Sequence, residues 1–404
     1  MGLFDFLFRP PSEAKFAQLM IDELRRCGVE QEITYDEPNR RILIGSAGDG
    51  QSVFLGNFYQ EYVSLPRKQR AVHLRNRARM LLGGGIEPPD DYEEAREHLR
   101  PKLWARAAIV KTRLHIELDG GDPGRFDLPD YEVGSHLIAS LVYDLPDQMV
   151  SVSREQLEKW GVSYYEALEA ARENLGGTEH VVARLGEGFY TVATGDSYDA
   201  CRLLLPDLID RFEVQGDLIA MIPNRDSLYI AGSEDIEALT VMLDFTDEAL
   251  KQPRPMVPIP VRWSDGEWLD WAPPPGHPLE QRFRDFQLRF LAEEYAEQKS
   301  LLDAIQERNG VDIFVPTFTV ASKGDYKQSF AVWPRDIPSL LPKSDVVALS
   351  SDPEGAPILA RWHDLQEVAG ELLNETEHYP ARYKVDGFPS PKQLEELRRR
   401  DQIT

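Results

Sequence analysis

GDLIAMIPNRDSLYIAG, residues 216–232, decides the fold class. Two apolar runs, Asp217–Ile222 and Ser227–Ala231, flank Asn224-Arg225-Asp226. Asn and Asp tolerate left-handed backbone and hydrogen-bond their own chain, so this is a turn between antiparallel strands. Just upstream, His180–Leu185 and Phe189–Thr194 flank Gly186-Glu187-Gly188, a second hairpin of the same kind. Helices are expected on either side. Ser153 with Gln156 and Ser163 with Glu166 have capping-box spacing, opening helices that end at Gly161 and Gly176-Gly177. Asp196 or Ser197 caps a helix to about Arg211, divided by Pro206, and Ser233 caps one to Leu250. Ala105–Leu118 and Ser135–Leu145 have the composition of strands. This mixed order departs from the strict alternation of a doubly wound sheet. It predicts α+β architecture: mixed α/β layers with antiparallel hairpins packed on helices.

Working outward, residues 1–89 predict a small α+β module. Phe16, Leu19, Met20 and Leu24 form the stripe of a helix stopped by Gly28, and Glu32–Tyr35 and Arg41–Ile44 form a hairpin. Val53–Tyr62 is a strand or a strand running into a helix, and Arg67–Leu82 is a helix closed by Gly83-Gly84-Gly85. Residues 90–252 make the central domain. Between 253 and 278, eight prolines surround Trp263, Trp268 and Trp271, which predicts a connector that packs against its neighbours. Residues 279–404 form a third module. A long helix over Leu279–Arg308 comes first, then strands at 311–321, 326–333, 345–350 and 357–362, with turns at Gly324-Asp325 and Pro353–Gly355. A helix capped by Asp364 with Glu367 follows, and a last helix covers Pro391–Arg400.

The 404 residues suit two or three domains. The net charge of −24 gives solubility and repels nucleic acid and anionic membranes at long range. Cys27 and Cys201 are the only cysteines, too few for a disulfide framework or a zinc cluster. No apolar run reaches transmembrane length. The first residues, with Phe4, Phe6, Leu7 and Phe8, lack the basic start and cleavage site of a secretory leader, and are expected to fold back onto their own domain. The expected compartment is the cytoplasm.

Three runs resemble a known family: SREQLEKWGVSYYEALEAARENL (153–175), YDACRLLLPDLI (198–209) and GDLIAMIPNRDSLYIAGSED (216–235). They are similar to the bacterial YtpQ-like proteins, domain-of-unknown-function family number 1444, mainly over residues 130–250. The resemblance implies a bacterial cytoplasmic α+β protein and implies no activity.

No Walker loop, GxGxxG, GxSxG or HExxH motif occurs. Arg225 at its hairpin tip, with Asn224 and Asp226, is either a plain turn or a bidentate anion clamp. Arg67, Lys68, Arg70, Arg75, Arg77 and Arg79 place six positive charges in thirteen residues with no acid among them. That stripe, above all Arg75, Arg77 and Arg79, suits an acidic protein partner, the protein's own acidic surface or RNA, the last opposed by the net charge. Trp263 and Trp268 either stack a ligand or pack two segments together. His115 and Glu117 would share a face if Ala105–Leu118 were a strand, either as a plain polar face or as an acid–base or ligand pair. The leading expectation is a non-enzymatic binding or scaffolding protein with a protein partner, and with no cofactor or metal. The alternative is an unrecognised enzyme or small-ligand binder, with a pocket between the central and C-terminal modules. Nucleic-acid contact through the helix at 67–82 is the third.

Overall fold

The computed structural model describes residues 10–46, 50–82, 87–145, 148–323, 326–351 and 355–401. The apolar arm at 4–8 and the expected breaks at 83–85, 324–325 and 353–354 lie outside the described residues. The fold is mixed α+β, as expected.

At the N-terminal end, α1 (Glu13–Arg26), β1 (Ile33–Asp36), β2 (Arg41–Ile44) and β3 (Gln51–Phe54) are followed by α2 (Gly56–Ser64) and α3 (Arg67–Leu82). The three strands form an antiparallel sheet in chain order. Phe16, Ala17, Met20 and Leu24 of α1 are buried with Ile42, Val53 and Leu55.

The middle of the chain builds two sheets. The first holds β4 (Leu99–Ala105), β5 (Tyr131–Val133), β6 (Leu137–Leu145) and β7 (Gln148–Ser151), and is preceded by α4 (Tyr92–Arg96). Both β4 and β5 pair with β6. Between β4 and β5 runs α5 (Arg106–Leu118), and α6 (Arg154–Trp160) and α7 (Tyr164–Gly176) follow β7. The second sheet contains β8 (Val182–Leu185), β9 (Phe189–Val192), β10 (Leu218–Asn224), β11 (Leu228–Gly232), β12 (Pro255–Ser264) and β13 (Glu267–Asp270). Its order is β13-β12-β10-β11-β9-β8, every pair antiparallel. Two further helices, α8 (Pro206–Ile209) and α9 (Ile236–Ala249), cover it.

The C-terminal part starts with the thirty-residue helix α10 (Glu280–Asn309). It packs against a sheet ordered β14 (Thr319–Lys323), β15 (Tyr326–Pro334), β17 (Val346–Ser350) and β18 (Ile358–Arg361). A smaller sheet joins β16 (Ser339–Pro342), β20 (Arg382–Val385) and β19 (Asn374–Glu375), with α11 (Trp362–Ala369) and α12 (Pro391–Asp401) outside. No helix among the described residues is long and apolar enough to cross a membrane.

Several expectations need correction. Residues 106–118 are helical: Ile109, Val110, Thr112 and Ile116 favour strands locally, but packing on α10 overrides that preference. His115 and Glu117, two apart on a helix, therefore point to different sides. The proline-rich stretch is largely sheet. A register break in β12 between its pairings Ala220↔Val261 and Ile222↔Val257 spans Pro258 and Pro260, which have no N–H for a ladder. Ser233 Oγ accepts from Asp217 N at 2.8 Å, and Asp235 caps α9 instead, at 2.9 Å from Ala238 N. Asp364 lies inside α11, whose N-cap is Arg361. The expected helix at 196–211 is reduced to a 3-10 turn (Ala200–Leu204) and α8.

That last segment is shaped by Arg202, which is fully buried. Its guanidinium donates to Asp196 Oδ2 at 2.7 Å, to His180 Nδ1 at 2.9 Å and to the Glu179 carbonyl at 3.0 Å. Asp199, 1% exposed, lies 3.6 Å away and accepts from the Thr194 and Gly195 amides. Arg202→Met keeps the bulk but leaves Asp199 buried without its cation, so about 3–5 kcal/mol of stability should be lost. Urea unfolding measures it; a loss below ~1 kcal/mol, as for a surface pair, would mean the cluster is not a structural anchor.

Candidate functional site

A cleft of about 980 Å³ opens where the two central sheets, α10 and the C-terminal sheets meet. That is the upper end of the roughly 300–1,000 Å³ range of small-molecule sites. On the central side it is lined by Arg106, Ser135, His136 and Asp270. The turn from β5 to β6 carries Ser135 and His136 and bonds to the other two. His136 O accepts from Arg106 N at 2.9 Å, and the Ser135 amide donates to Asp270 Oδ1 at 2.8 Å. Gly134 sits at φ +58° there, and a Cβ would lie 2.5 Å from that same carboxylate oxygen, so a larger residue would displace Asp270.

The opposite wall carries Tyr379, 7% exposed, in the loop between β19 and β20. Buried side chains of α10 hold this loop: Gln298 Nε2 donates to Pro380 O at 3.0 Å and Tyr295 Oη to Ala381 O at 2.7 Å. Arg382, fully buried, closes the arrangement. It donates to Gln298 Oε1, to Leu340 O at 2.9 Å and to Pro316 O at 3.2 Å, with no ion-pair partner among the described residues. Burial pushes its pKa down to about 10.

Across the cleft wall, Tyr379 Oη and His136 Nδ1 share a hydrogen bond. Burial pushes the imidazole down, outweighing the pull of Asp270, and pushes the phenol well up. Both are therefore neutral near pH 7, the phenol donating and Nδ1 accepting. The remaining imidazole proton is then on Nε2, which lies 4.0 Å from Asp270 Oδ2. The Arg106 guanidinium stands over the Tyr379 ring, 5.1 Å from its centroid, and pairs with Glu132 at 2.7 Å. A proton passed from Tyr379 to His136 would place an imidazolium 4.0 Å from the Asp270 carboxylate, a Coulombic neighbour and not a hydrogen-bond partner.

The residues singled out in the sequence lie elsewhere. Arg225 donates to Asp226 Oδ1 at 2.9 Å and to Ser197 Oγ at 3.2 Å. Asn224, 4% exposed, donates to Pro253 O at 2.6 Å and accepts from Asp226 N at 2.9 Å, a self-satisfied turn. Trp263 and Trp268 pack on each other with centroids 5.0 Å apart. Their indole N–H groups donate to Asp210 Oδ1 and Leu203 O, both at 3.0 Å, which joins β12 and β13 to the 200–210 segment. On α3, Arg75 pairs with Glu23 at 3.4 Å and Arg77 with Glu61 at 2.8 Å, so part of the basic stripe serves the N-terminal module itself. Arg79 is exposed. His363, Asp364 and Glu367 could together approach a metal ion, but Arg400 holds the two carboxylates at 3.1 and 2.6 Å.

Sequence reasoning missed the cleft residues because His136 and Tyr379 are 243 positions apart and neither stands in a motif. Only the position of the pocket, between the central and C-terminal parts, was anticipated.

The architecture so defined is an α+β protein with an ionisable cleft between sheets. No family model matches the chain. It is 30% identical over 134 residues to the UPF0354 protein lin1649 of Listeria innocua serovar 6a, a match taking in 31% of this chain and 49% of that protein. A UPF0354 protein of Listeria monocytogenes serotype 4a is 28% identical over 134 residues, with the same coverage. The chain thus matches about half the length of these curated bacterial relatives, which are themselves uncharacterised. No solved structure matches.

A second hollow, of about 570 Å³, lies between the β1–β3 sheet and α5. His115 in its wall packs on Phe54 with ring centroids 4.7 Å apart and has no partner for its buried Nδ1. Burial first, and the Arg41 guanidinium second, push its pKa from 6.5 down to about 4. Between those values the unfolded chain binds the proton and the folded one does not, so stability should fall as pH drops from about 6.5 to about 4. His115→Gln should flatten part of that slope in urea unfolding at stepped pH; an identical slope in the variant would place the sensitivity elsewhere.

Proposed function

We propose that the cleft is the functional centre, where a small molecule binds and exchanges a proton with the Tyr379–His136 pair beside Asp270. The observation that carries this is the hydrogen bond between two buried, neutral, titratable groups in the wall of a ligand-sized cavity. As a base, the Tyr379 oxygen takes the ligand's proton while its own passes to His136 Nδ1. Asp270 stabilises the imidazolium, and the reverse transfer returns a proton to the product. The similarity to the Listeria proteins supports an uncharacterised bacterial family, and the three runs quoted above are the ground for the finer YtpQ-like reading. The two free cysteines, Cys27 and Cys201, support a cytoplasmic setting.

A metabolite screen by thermal shift tests the reading. Hits should raise the melting temperature of the wild type but not of Gln366→Trp, which adds bulk from the exposed rim of the cleft. Where a hit is also turned over, Tyr379→Phe should slow turnover by about 10²-fold or more. Equal shifts in the blocked variant would remove the cleft from consideration.

Three cations of α3 support a second function, contact with an acidic protein partner. Arg67, Lys68 and Arg79 are exposed and have no side-chain partner among the described residues. Reversing these three to Glu should abolish co-purification of a stoichiometric partner without changing the melting temperature. A partner retained by the reversed protein would exclude this surface.

A further inference from the structure

The geometry points to a small organic monocarboxylate as the cleft's ligand, its acid group taken by Arg361 and Lys343 beside Trp362. This rests on the cleft being a binding site.

Arg361 and Lys343 both line the cleft and are exposed. Neither side chain has an ion-pair or hydrogen-bond partner among the described residues, in a chain with 69 acidic side chains to 45 basic ones. The other two cations of the lining are already used, Arg284 by Asp345 and Arg106 by Glu132. Trp362, next to Arg361, is 7% exposed, and its indole N–H is shielded from solvent without an acceptor. Arg361 is itself the N-cap residue of α11 and makes no side-chain cap, so the helix end adds partial positive charge beside it. Two cationic side chains without acceptors among the described residues therefore line one open cavity.

An arginine fork matches the planar geometry of a carboxylate. Glu375 and Glu377 also line the cleft, exposed and without an ion pair among the described residues. They repel a ligand with several negative charges, which favours one carboxylate over a phosphate or polyphosphate. Leu288, Leu291 and Phe318 offer apolar surface to the ligand's body. Tyr379 and His136 line the same cavity, which puts that pair within the space an occupant fills.

The probes are phenylacetate, benzyl alcohol, benzylamine and inorganic phosphate, with binding followed by ligand-observed NMR and titration calorimetry on the full chain. Phenylacetate should bind at least about tenfold more tightly than benzyl alcohol, equivalent to ~1.4 kcal/mol. The Arg361→Gln/Lys343→Gln variant should lose that preference at an unchanged melting temperature, and Gln366→Trp should abolish binding. Equal or tighter binding of the alcohol, the amine or phosphate, blocked by Gln366→Trp, overturns the carboxylate inference and leaves the cleft as a binding site. Phenylacetate binding that survives the double variant overturns it too. If none of the four binds, the carboxylate inference fails, and the cleft is judged by the metabolite screen alone.

Discussion

The guanidinium of Arg382 has no ion-pair partner among the described residues, yet it sits fully inside the protein. Its donors go to carbonyls of Leu340, Pro316 and Tyr295 and to Gln298 Oε1, and they bring α10, β16 and the 313–318 segment to one point. A lone cation in a dry interior is tolerable only when every N–H is met by an aligned dipole. The loop carrying Tyr379 immediately precedes this residue, so the position of the phenol is set by the satisfaction of a neighbouring charge. Everything on the C-terminal wall of the cleft depends on that arrangement.

Two more arginines act in the same manner at other junctions. Arg41, 2% exposed, binds Asp119 through two N–H groups at 2.6 and 2.7 Å and Asp36 at 2.8 Å, fixing the N-terminal sheet to the end of α5. Arg202 fastens the 196–204 segment to the loop before β8. In each case a planar fork with five donors reaches several backbone segments at once, which an ammonium on a flexible stem does less well. The three sites join segments that lie apart along the chain.

What the sequence made legible was local. The Asn224-Arg225-Asp226 turn and the Ser153 and Ser163 caps depend on chemistry within four residues, and they are where the residues placed them. The capping boxes form only in part: each serine accepts from the amide three on, while Gln156 Nε2 finds no partner. The helix at 106–118 was not legible, because its β-branched residues carry strand preference and its partner α10 lies far along the chain. The strands at 374–375 and 382–385 are too short to show a period. Of the proposed site, Asp270 lay in a stretch whose prolines masked a strand, and His136 was one histidine of eight with nothing nearby to mark it.

The His136–Tyr379 contact closes a loop of 243 positions. Chain statistics set the entropy of such a closure at roughly 5 kcal/mol from the logarithm of loop length alone. One hydrogen bond cannot supply that; the burial of α10 against both halves of the protein must come first. The contact thus depends on both walls being held in place by the rest of the fold. A chain interrupted between β6 and β20 can keep individual sheets and still lack the cleft between them.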